Sequence, residues 1–264
     1  MSRNDAAPPP RWPRPSLAAW LVLLVFGALF LSGLQRADPS LERLGIGVDN
    51  LAEFAMDAVP PDFSRWRAIV VAMFETLQMA IVGVAFGVAL SFPIALLCAR
   101  NTSPHAVVRA LARMVVTTLR TVPDLIWALV FVIAVGLGPL AGILAIVMDT
   151  IGFCARFFSE RIEEVDPSPG QALAATGAGG GAVILGAIAP ACLPSFAATS
   201  LYSVEKAVRS AVVLGLVGAG GIGVELSASM NLFRYDQALT VILVILLVVM
   251  AVEQVSGWVR QRVI

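Results

Sequence analysis

The chain has 264 residues, of which 58% are apolar and only 14% are charged, and its mean hydropathy is +0.87. A soluble domain of this length could not bury so much apolar surface and still cover its outside with so few charges. The formal net charge is zero, so no overall field attracts a nucleic acid or an acidic partner. These values exclude an ordinary soluble domain and indicate an integral membrane protein.

Six apolar segments are long enough to cross the hydrocarbon core as helices, which takes about 20 residues at about 1.5 Å each. To within several residues, they cover 17–34, 76–99, 115–135, 140–158, 193–217 and 238–257. Helices are predicted throughout, since a lipid-exposed backbone must satisfy its own hydrogen bonds and no segment alternates as a barrel strand does. The predicted fold class is an all-α membrane protein with six transmembrane helices.

The first segment follows a Pro-rich arm, residues 1–16, that carries Arg3, Arg11 and Arg14. A secretory signal has the same charged start, but its apolar stretch is shorter than this one. We therefore expect residues 17–34 to form a membrane helix. In the following loop, 35–68, apolar residues recur at near-helical spacing among charges, which predicts a helix on the membrane surface.

Arginines are distributed unequally between the two sides that the six spans define. If the N-terminus is inside, the inner side collects Arg3, Arg11, Arg14, Arg100, Arg109, Arg113, Arg156, Arg161, Arg260 and Arg262. The outer side has fewer, mixed with several acids in its long first loop. The positive-inside rule therefore predicts that both termini are cytoplasmic.

The inner loop between the fourth and fifth spans, 159–185, is too long for a simple hairpin. Pro167 and Pro169 are expected to end the preceding helix, residues 171–176 to form a short one, and Gly177 with the glycines at 179–181 to stop it. A short helix alone in water is only marginally stable, which implies a partner that packs against it. A disordered connector is the alternative.

The stretch QALAATG, residues 171–177, and the later Ile188-Ala189-Pro190 resemble the "EAA" loop of binding-protein-dependent ABC importer permeases. In that loop an acidic residue, two alanines and a glycine precede an aliphatic residue and a proline. Gln171 replaces the acid, which removes a charge but keeps a hydrogen-bonding side chain. The resemblance implies that Gln171, Ala172, Ala175 and Gly177 couple the permease to an ATPase.

Over roughly residues 70–264 the chain resembles the phosphonate importer permeases in particular. The resemblance rests on LRTVPDLIWALVFVIAVGLGPLAGILA from Leu119, the residues at 149–152 leading to FFSERIEEVDP, and SLYSVEKAVRSAVVLGLVGAGGIG from Ser200. It implies a core of five helices of the type I importer, here residues 69–264, to which the first helix is added. The expected place is the bacterial inner membrane.

The same resemblance implies the partners and the mechanism. They are two ATP-binding subunits that hold ATP and magnesium, a second permease copy or paralogue, and a periplasmic binding protein. The substrate is expected to be phosphonate or a related phosphorus oxyanion, such as a phosphate ester or phosphite, moved by alternating access. An importer of another small solute and a passive channel remain alternatives.

Ionisable residues within membrane spans are costly, so each is a candidate for the translocation path. Arg120 and Asp124 are four residues apart, as are Glu205 and Arg209, so each pair is expected to meet on one helix face. The two arginines would suit the oxygens of an anion, because a guanidinium offers paired donors. Local neutralisation of charge is the alternative role.

Two further acids, Asp149 and Glu253, have no basic residue four positions away along their helices. They are therefore expected to reach another helix or an aqueous cavity, and Asp149 is also a candidate for the path.

Gly218, Gly220 and Gly223 spell GAGGIG, a match to the dinucleotide-binding fingerprint, which has meaning only between a strand and a helix. Because this run follows a membrane span, we expect an outer gate instead. The sequence has no Walker motif, metal-ligand spacing or nucleophile motif, so no cofactor, metal or catalytic residue is expected in this chain, and an intramembrane hydrolase is a remote alternative.

The orientation is testable by labelling. Cysteines introduced near Asp49 should react with an impermeant thiol reagent added from the periplasm, and cysteines near Pro169 should not, since the arginine asymmetry places them on opposite sides. The reverse labelling pattern would contradict the predicted orientation.

Overall fold

The computed structural model describes residues 16–37 and 40–263, and every regular element among them is a helix. The helices are α1 (Leu17–Ala37), α2 (Leu41–Ala58), α3 (Trp66–Cys98), α4 (Ala106–Thr121), α5 (Asp124–Val135), α6 (Pro139–Glu164), α7 (Pro167–Ala175), α8 (Gly180–Val183), α9 (Ala189–Gly215), α10 (Ile222–Asn231) and α11 (Tyr235–Val263). A π-helical segment, Ile184–Ile188, joins α8 to α9, so Gly180–Gly215 is one continuous helix. The arm 1–16, apart from Ser16, lies outside the described residues.

Five of the described helices are long and apolar enough to cross a membrane, namely α1, α3, α6, the continuous helix that ends with α9, and α11. A sixth candidate is the pair of α4 and α5, which is bent by 91°. The all-helical fold class is confirmed, and the six predicted spans correspond to these five helices and the bent pair.

The third span differs from the straight helix that was predicted. α4 ends at Thr121 and α5 begins at Asp124, with Val122 in an extended conformation at φ −82° and ψ 119°. Pro123 explains the break, because its ring disfavours the helical conformation of the preceding residue and it has no N–H to donate.

The chain forms two compact units, one ending at Met56 and the other beginning at Asp57. The first contains α1 and most of α2, and α2 is a helix where a surface helix was predicted. The second contains all the other helices and every candidate functional residue. Within it, α3 and α6 run in the same direction, from the end that carries α10 (the α10 end) to the end that carries α7 (the α7 end).

Glycines bring α3 and α6 into close contact in the core of the second unit. A Cβ atom built on Gly83 would lie 2.6 Å from Cγ2 of Ile146, and one on Gly87 would lie 2.5 Å from Cβ of Thr150. Both distances are well inside van der Waals contact, so only glycine fits. The two glycines are four residues apart, the spacing at which small residues let membrane helices approach each other.

Gly87→Ala should therefore destabilise the protein, since the added methyl group must push against the β-branched Thr150. We expect a cost of about 1–3 kcal/mol, the usual range for an overfilled core. Gly257→Ala in α11 is the matched control, because a Cβ there meets nothing within 4 Å. Thermal unfolding of both variants in detergent makes the comparison, and equal transition temperatures would contradict the proposed role of Gly87.

Candidate functional site

The first part of the site is the short helix α7, which follows α6 after a turn of two residues. Asp166 caps its N-terminus, with one carboxylate oxygen accepting hydrogen bonds from the backbone N–H of Ser168 at 2.9 Å and from its hydroxyl at 2.7 Å. The backbone donor, followed by the hydroxyl, lowers the pKa of the Asp166 carboxyl below its usual value. Pro167 occupies the first turn, where its missing N–H costs nothing.

These contacts correct the predicted bounds of the loop. The prolines do not only end the preceding helix, which stops at Glu164; Pro167 also begins α7, four residues before the predicted start at Gln171. Gly177 stops α7 as predicted, with a left-handed φ of +87°. The glycines at 179–181 do not form a second stop, because the next helix begins at Gly180.

One face of α7 packs on the following helix, and the other face is exposed in the part of the chain that the structure describes. A Cβ on Gly186, in the π-helical segment, would lie 3.1 Å from Cδ2 of Leu173, and one on Gly170 would lie 3.3 Å from Cγ1 of Val183. The predicted coupling residues Gln171, Ala172, Ala175 and Gly177 are all exposed. The side chains of Ala172 and Ala175 are small and Gly177 has none, so this exposed part of the loop is a shallow surface.

Glu163, in the last turn of α6, connects the end of this helix to the α3–α4 loop and to α4. Its carboxylate accepts a hydrogen bond of 2.7 Å from the backbone N–H of Arg100 and one of 2.5 Å from the guanidinium of Arg113. The amide of Asn101 donates to the carbonyl of Ile162 at 2.7 Å. The α3–α4 loop and α4 are thereby fixed to the end of α6, four residues before α7. Glu163 was not predicted as a site residue because its partners are 63 and 50 positions away in the sequence.

The second part of the site is a set of ion pairs that connect α9 to other helices. Nζ of Lys206 lies 2.7 and 2.8 Å from the two carboxylate oxygens of Asp149 on α6. A second pair joins α9 to α11, with the guanidinium of Arg260 donating to Glu205 at 2.8 Å. A third joins the same two helices through Arg209 and Glu253.

The predicted pair of Glu205 and Arg209 along one helix is therefore wrong. Glu205 and Arg209 each contact α11 instead of each other, because residues of opposite charge on that helix, Arg260 and Glu253, lie within hydrogen-bond distance of them. Asp149 and Glu253 reach other helices, as expected from their lack of local partners. Lys206, the only lysine of the chain, was not predicted as a site residue.

The predicted pair of Arg120 and Asp124 does not form because the α4–α5 break separates the two residues. Asp124 accepts a hydrogen bond from the N–H of the next residue, Leu125, at 2.9 Å. Arg120 has no hydrogen bond or ion pair to any residue in the described part of the chain, and it lines a cavity next to α6.

The third part is the glycine loop between α9 and α10. Gly218 and Gly220 have φ of +87° and +86°, and a Cβ on Gly220 would lie 2.9 Å from both Oε1 of Glu75 and N of Pro139. Position 223 also requires glycine, because a Cβ atom there would lie 2.0 Å from the carbonyl oxygen of Val212. The loop lies between two helices, so it has no context for dinucleotide binding.

Glu75 and Thr76 on α3 hold this loop from the side. Oε1 of Glu75 accepts a hydrogen bond of 3.0 Å from the N–H of Gly221, and Oγ1 of Thr76 accepts one of 2.8 Å from the N–H of Ile222. Gly221 precedes α10 and Ile222 begins it, and N–H groups at the start of a helix have no acceptor within that helix. The predicted second span begins at Thr76, whereas α3 begins at Trp66, so Glu75 was not counted among the intramembrane charges.

The three parts of the site consist of a short exposed helix, ion pairs between helices and a glycine loop. Among the described residues, no group of three or more His, Cys, Asp or Glu side chains could hold a metal ion. The charges link helices across a membrane bundle, and an exposed short helix stands at one end. Such an arrangement indicates the class of membrane transport subunits.

Comparison with known proteins agrees with this class. The family model "Binding-protein-dependent transport system inner membrane component" matches residues 91–264. The chain is 40% identical over 245 residues to the phosphite transport system permease protein PtxC of Stutzerimonas stutzeri, covering 91% of this chain and 88% of that protein. It is 39% identical over 207 residues to the phosphate-import permease protein PhnE of Mycolicibacterium smegmatis, covering 78% of this chain and 39% of that one.

A solved structure shares the fold. The inward-facing MetNI methionine ABC transporter matches with a TM-score of 0.67 at 19% identity, over 77% of this chain and 99% of that chain. The protein therefore belongs to the family of inner membrane components of binding-protein-dependent transport systems, as an ABC importer permease. In this family a separate ATPase hydrolyses ATP, so this chain is not itself an enzyme.

The ion pairs of α9 differ in burial, which leads to a prediction about stability. The side chain of Glu205 is only 7% exposed, whereas Arg209 and Glu253 are 44% and 47% exposed. Arg260→Gln should leave a buried, unpaired carboxylate at a cost of about 3 kcal/mol. Arg209→Gln, the matched control, should cost at most about 1 kcal/mol because its pair is exposed.

Transition temperatures in detergent measure both variants, and Glu205→Gln combined with Arg260→Gln should recover most of the loss. An Arg260→Gln protein as stable as the Arg209→Gln protein would show that the Glu205 pair is not structural.

Proposed function

We propose that this permease imports a small phosphorus oxyanion: phosphite, phosphate or a phosphonate. Two relatives that match most of this chain are named for phosphite transport and phosphate import. Such anions present several oxygens to one cation, which suits guanidinium and ammonium groups along a polar route. The chain supplies these cations on α9, which packs against α3, α6 and α11 in the second unit.

The observation that carries the coupling part of this proposal is the exposed face of α7. Ala172 and Ala175 lie on it and are exposed, while Leu173 on the opposite face packs against the continuous helix. A helix of nine residues is too short to be stable alone in water, so its ordered, uncovered small face suits a cleft in an ATP-binding subunit. Gln171 would offer an uncharged hydrogen bond there.

The route for the anion follows the charges of α9. Lys206 and Arg209 are each held by a single carboxylate, Asp149 and Glu253, and each cation is partly exposed. A passing oxyanion would replace the carboxylate for a short time and then be released when the pair closes again. Weak contacts of this kind suit a path that must release what it admits, and selection then rests with the binding protein.

The complex would have two copies of the ATP-binding subunit, holding ATP and magnesium, a second permease copy or paralogue, and a periplasmic binding protein. Both termini and α7 would face the cytoplasm of the bacterium, following the arginine asymmetry. The glycine loop with Gly218, Gly220 and Gly223 would then be at the periplasmic side, as an outer gate next to the binding protein. When ATP closes the ATPase, α7 and Glu163 would transmit the movement to α6.

Ala175→Trp tests this proposal, because it adds bulk to the exposed face of α7 without entering the bundle. We expect the variant to reach the membrane in normal amounts, to lose the ATPase on purification, and to lower uptake of phosphite, phosphate and methylphosphonate at least tenfold. The measurement is uptake in cells, normalised to permease in the membrane, together with co-purification of the ATPase.

Two controls separate docking from folding. Ala28→Trp places the same bulk at an exposed position of α1, and Gln171→Glu restores the acid that the family resemblance implies; both should leave uptake and ATPase association unchanged. Full ATPase association and normal uptake with Ala175→Trp would refute the role of α7, and a wild-type protein that takes up none of the three anions would refute the proposed substrate.

A further inference from the structure

A second cationic site lies away from α9, in a cavity between α4 and α6 at the α7 end. Its volume is about 250 Å³, and its lining includes three arginines and three hydroxyl residues: Arg113, Arg120, Arg156, Thr117, Thr121 and Ser159. Arg113 and Arg120 are seven residues apart on α4, two helical turns, so they share a face, and Arg156 approaches from α6.

The three guanidinium groups are neutralised unequally. Arg113 donates to Glu163 at 2.5 Å and to the carbonyl of Cys98 at 2.9 Å. Arg156 pairs with Glu160, four residues further along α6, at 2.6 Å. Arg120 has no such partner in the described chain, so three positive charges face two carboxylates and the cavity keeps one unbalanced positive charge.

The hydroxyl groups in the lining are neutral, so they cannot balance the third positive charge, and within the described residues none of them accepts a hydrogen bond from Arg120. The hydroxyl of Thr121 donates to the carbonyl of Thr117 at 2.8 Å, and that of Ser159 donates to the carbonyl of Arg156 at 2.8 Å. The donors left over in the cavity belong mainly to the arginines, each of which has five N–H groups. A ligand that satisfies them must carry several acceptor oxygens and a negative charge.

The absence of a side chain at Gly152 allows Arg120 to lie close to α6. A Cβ on Gly152 of α6 would lie 3.0 Å from Cγ and 3.2 Å from the backbone N of Arg120. Its absence lets α4 approach α6 closely enough for arginines from both helices to face the same space. The backbone and Cγ of Arg120 therefore pack against α6, while the residue as a whole stays exposed.

We infer that this cavity binds a tetrahedral phosphorus oxyanion between Arg120, Arg156 and Arg113, as a release-side station separate from the α9 route. The inference rests on the proposed function for the identity of the anion and for the cytoplasmic placement of the α7 end. A phosphoryl group on a lipid head has the same chemistry as free phosphate, so the experiment includes both sources.

The test measures retention of radiolabelled inorganic phosphate, by equilibrium dialysis, on the full-length permease–ATPase complex in a detergent without phosphorus. Arg120→Gln should weaken binding at least tenfold. Arg109→Gln, which removes a charge from the same helix outside the cavity, should leave binding unchanged. Glu160→Gln should strengthen binding at least threefold, because it frees the guanidinium of Arg156.

Addition of phosphatidylglycerol distinguishes the two sources: displacement of phosphate identifies a lipid headgroup as the ligand, and its absence identifies the free anion. Binding that is insensitive to both Arg120→Gln and Glu160→Gln, or lost only with Arg209→Gln, would overturn the inference. Failure of the transport proposal would be seen separately, as absent uptake of all three anions by the wild-type protein.

Discussion

Lipid tails are as apolar as leucine, so membrane helices gain little by hiding apolar side chains from the bilayer and must associate through close contact instead. In this chain that contact is made by α3 and α6, where Gly83 and Gly87 leave room for Ile146 and Thr150. The other features of the second unit depend on α6 being fixed in this way. Along its length α6 presents Asp149 to α9, Arg156 to the cavity beside α4, and Glu163 to the α3–α4 loop, and it leads directly into α7.

The spans were predictable because each depends only on local composition. A run of about 20 apolar residues identifies a span wherever it packs, and the six predicted segments correspond to five helices and one bent pair. Positions of ends and bends were less predictable. Pro123 sits inside an apolar run, and hydropathy does not register that it splits the third span at Thr121. In α7 the same residue type acts in the opposite way, since Pro167 begins a helix.

The pairing of charges could not be predicted, since spacing along one helix says nothing about which helix lies next to it. Glu205 and Arg209 have the right spacing to meet each other, yet each meets α11. Burial explains why this matters: a carboxylate as deeply placed as Glu205 needs a partner wherever the fold offers one. The position of the glycine loop was predictable from its motif, and that of α7 from the family resemblance. The contacts of the loop with Glu75 and of α7 with Gly186 were not predictable, because they depend on the assembled bundle.

The π-helical segment Ile184–Ile188 affects how the longest helix of the protein should be drawn. A π turn takes up about one more residue than an α turn, which moves the residues on its two sides out of phase by roughly 100°. A helical wheel drawn through Gly180–Gly215 as uniform α-helix would therefore assign Lys206 and Arg209 to the wrong side relative to the residues that support α7. Sequence alignments and engineered fusions that join this helix to another permease need to keep or remove that extra residue deliberately.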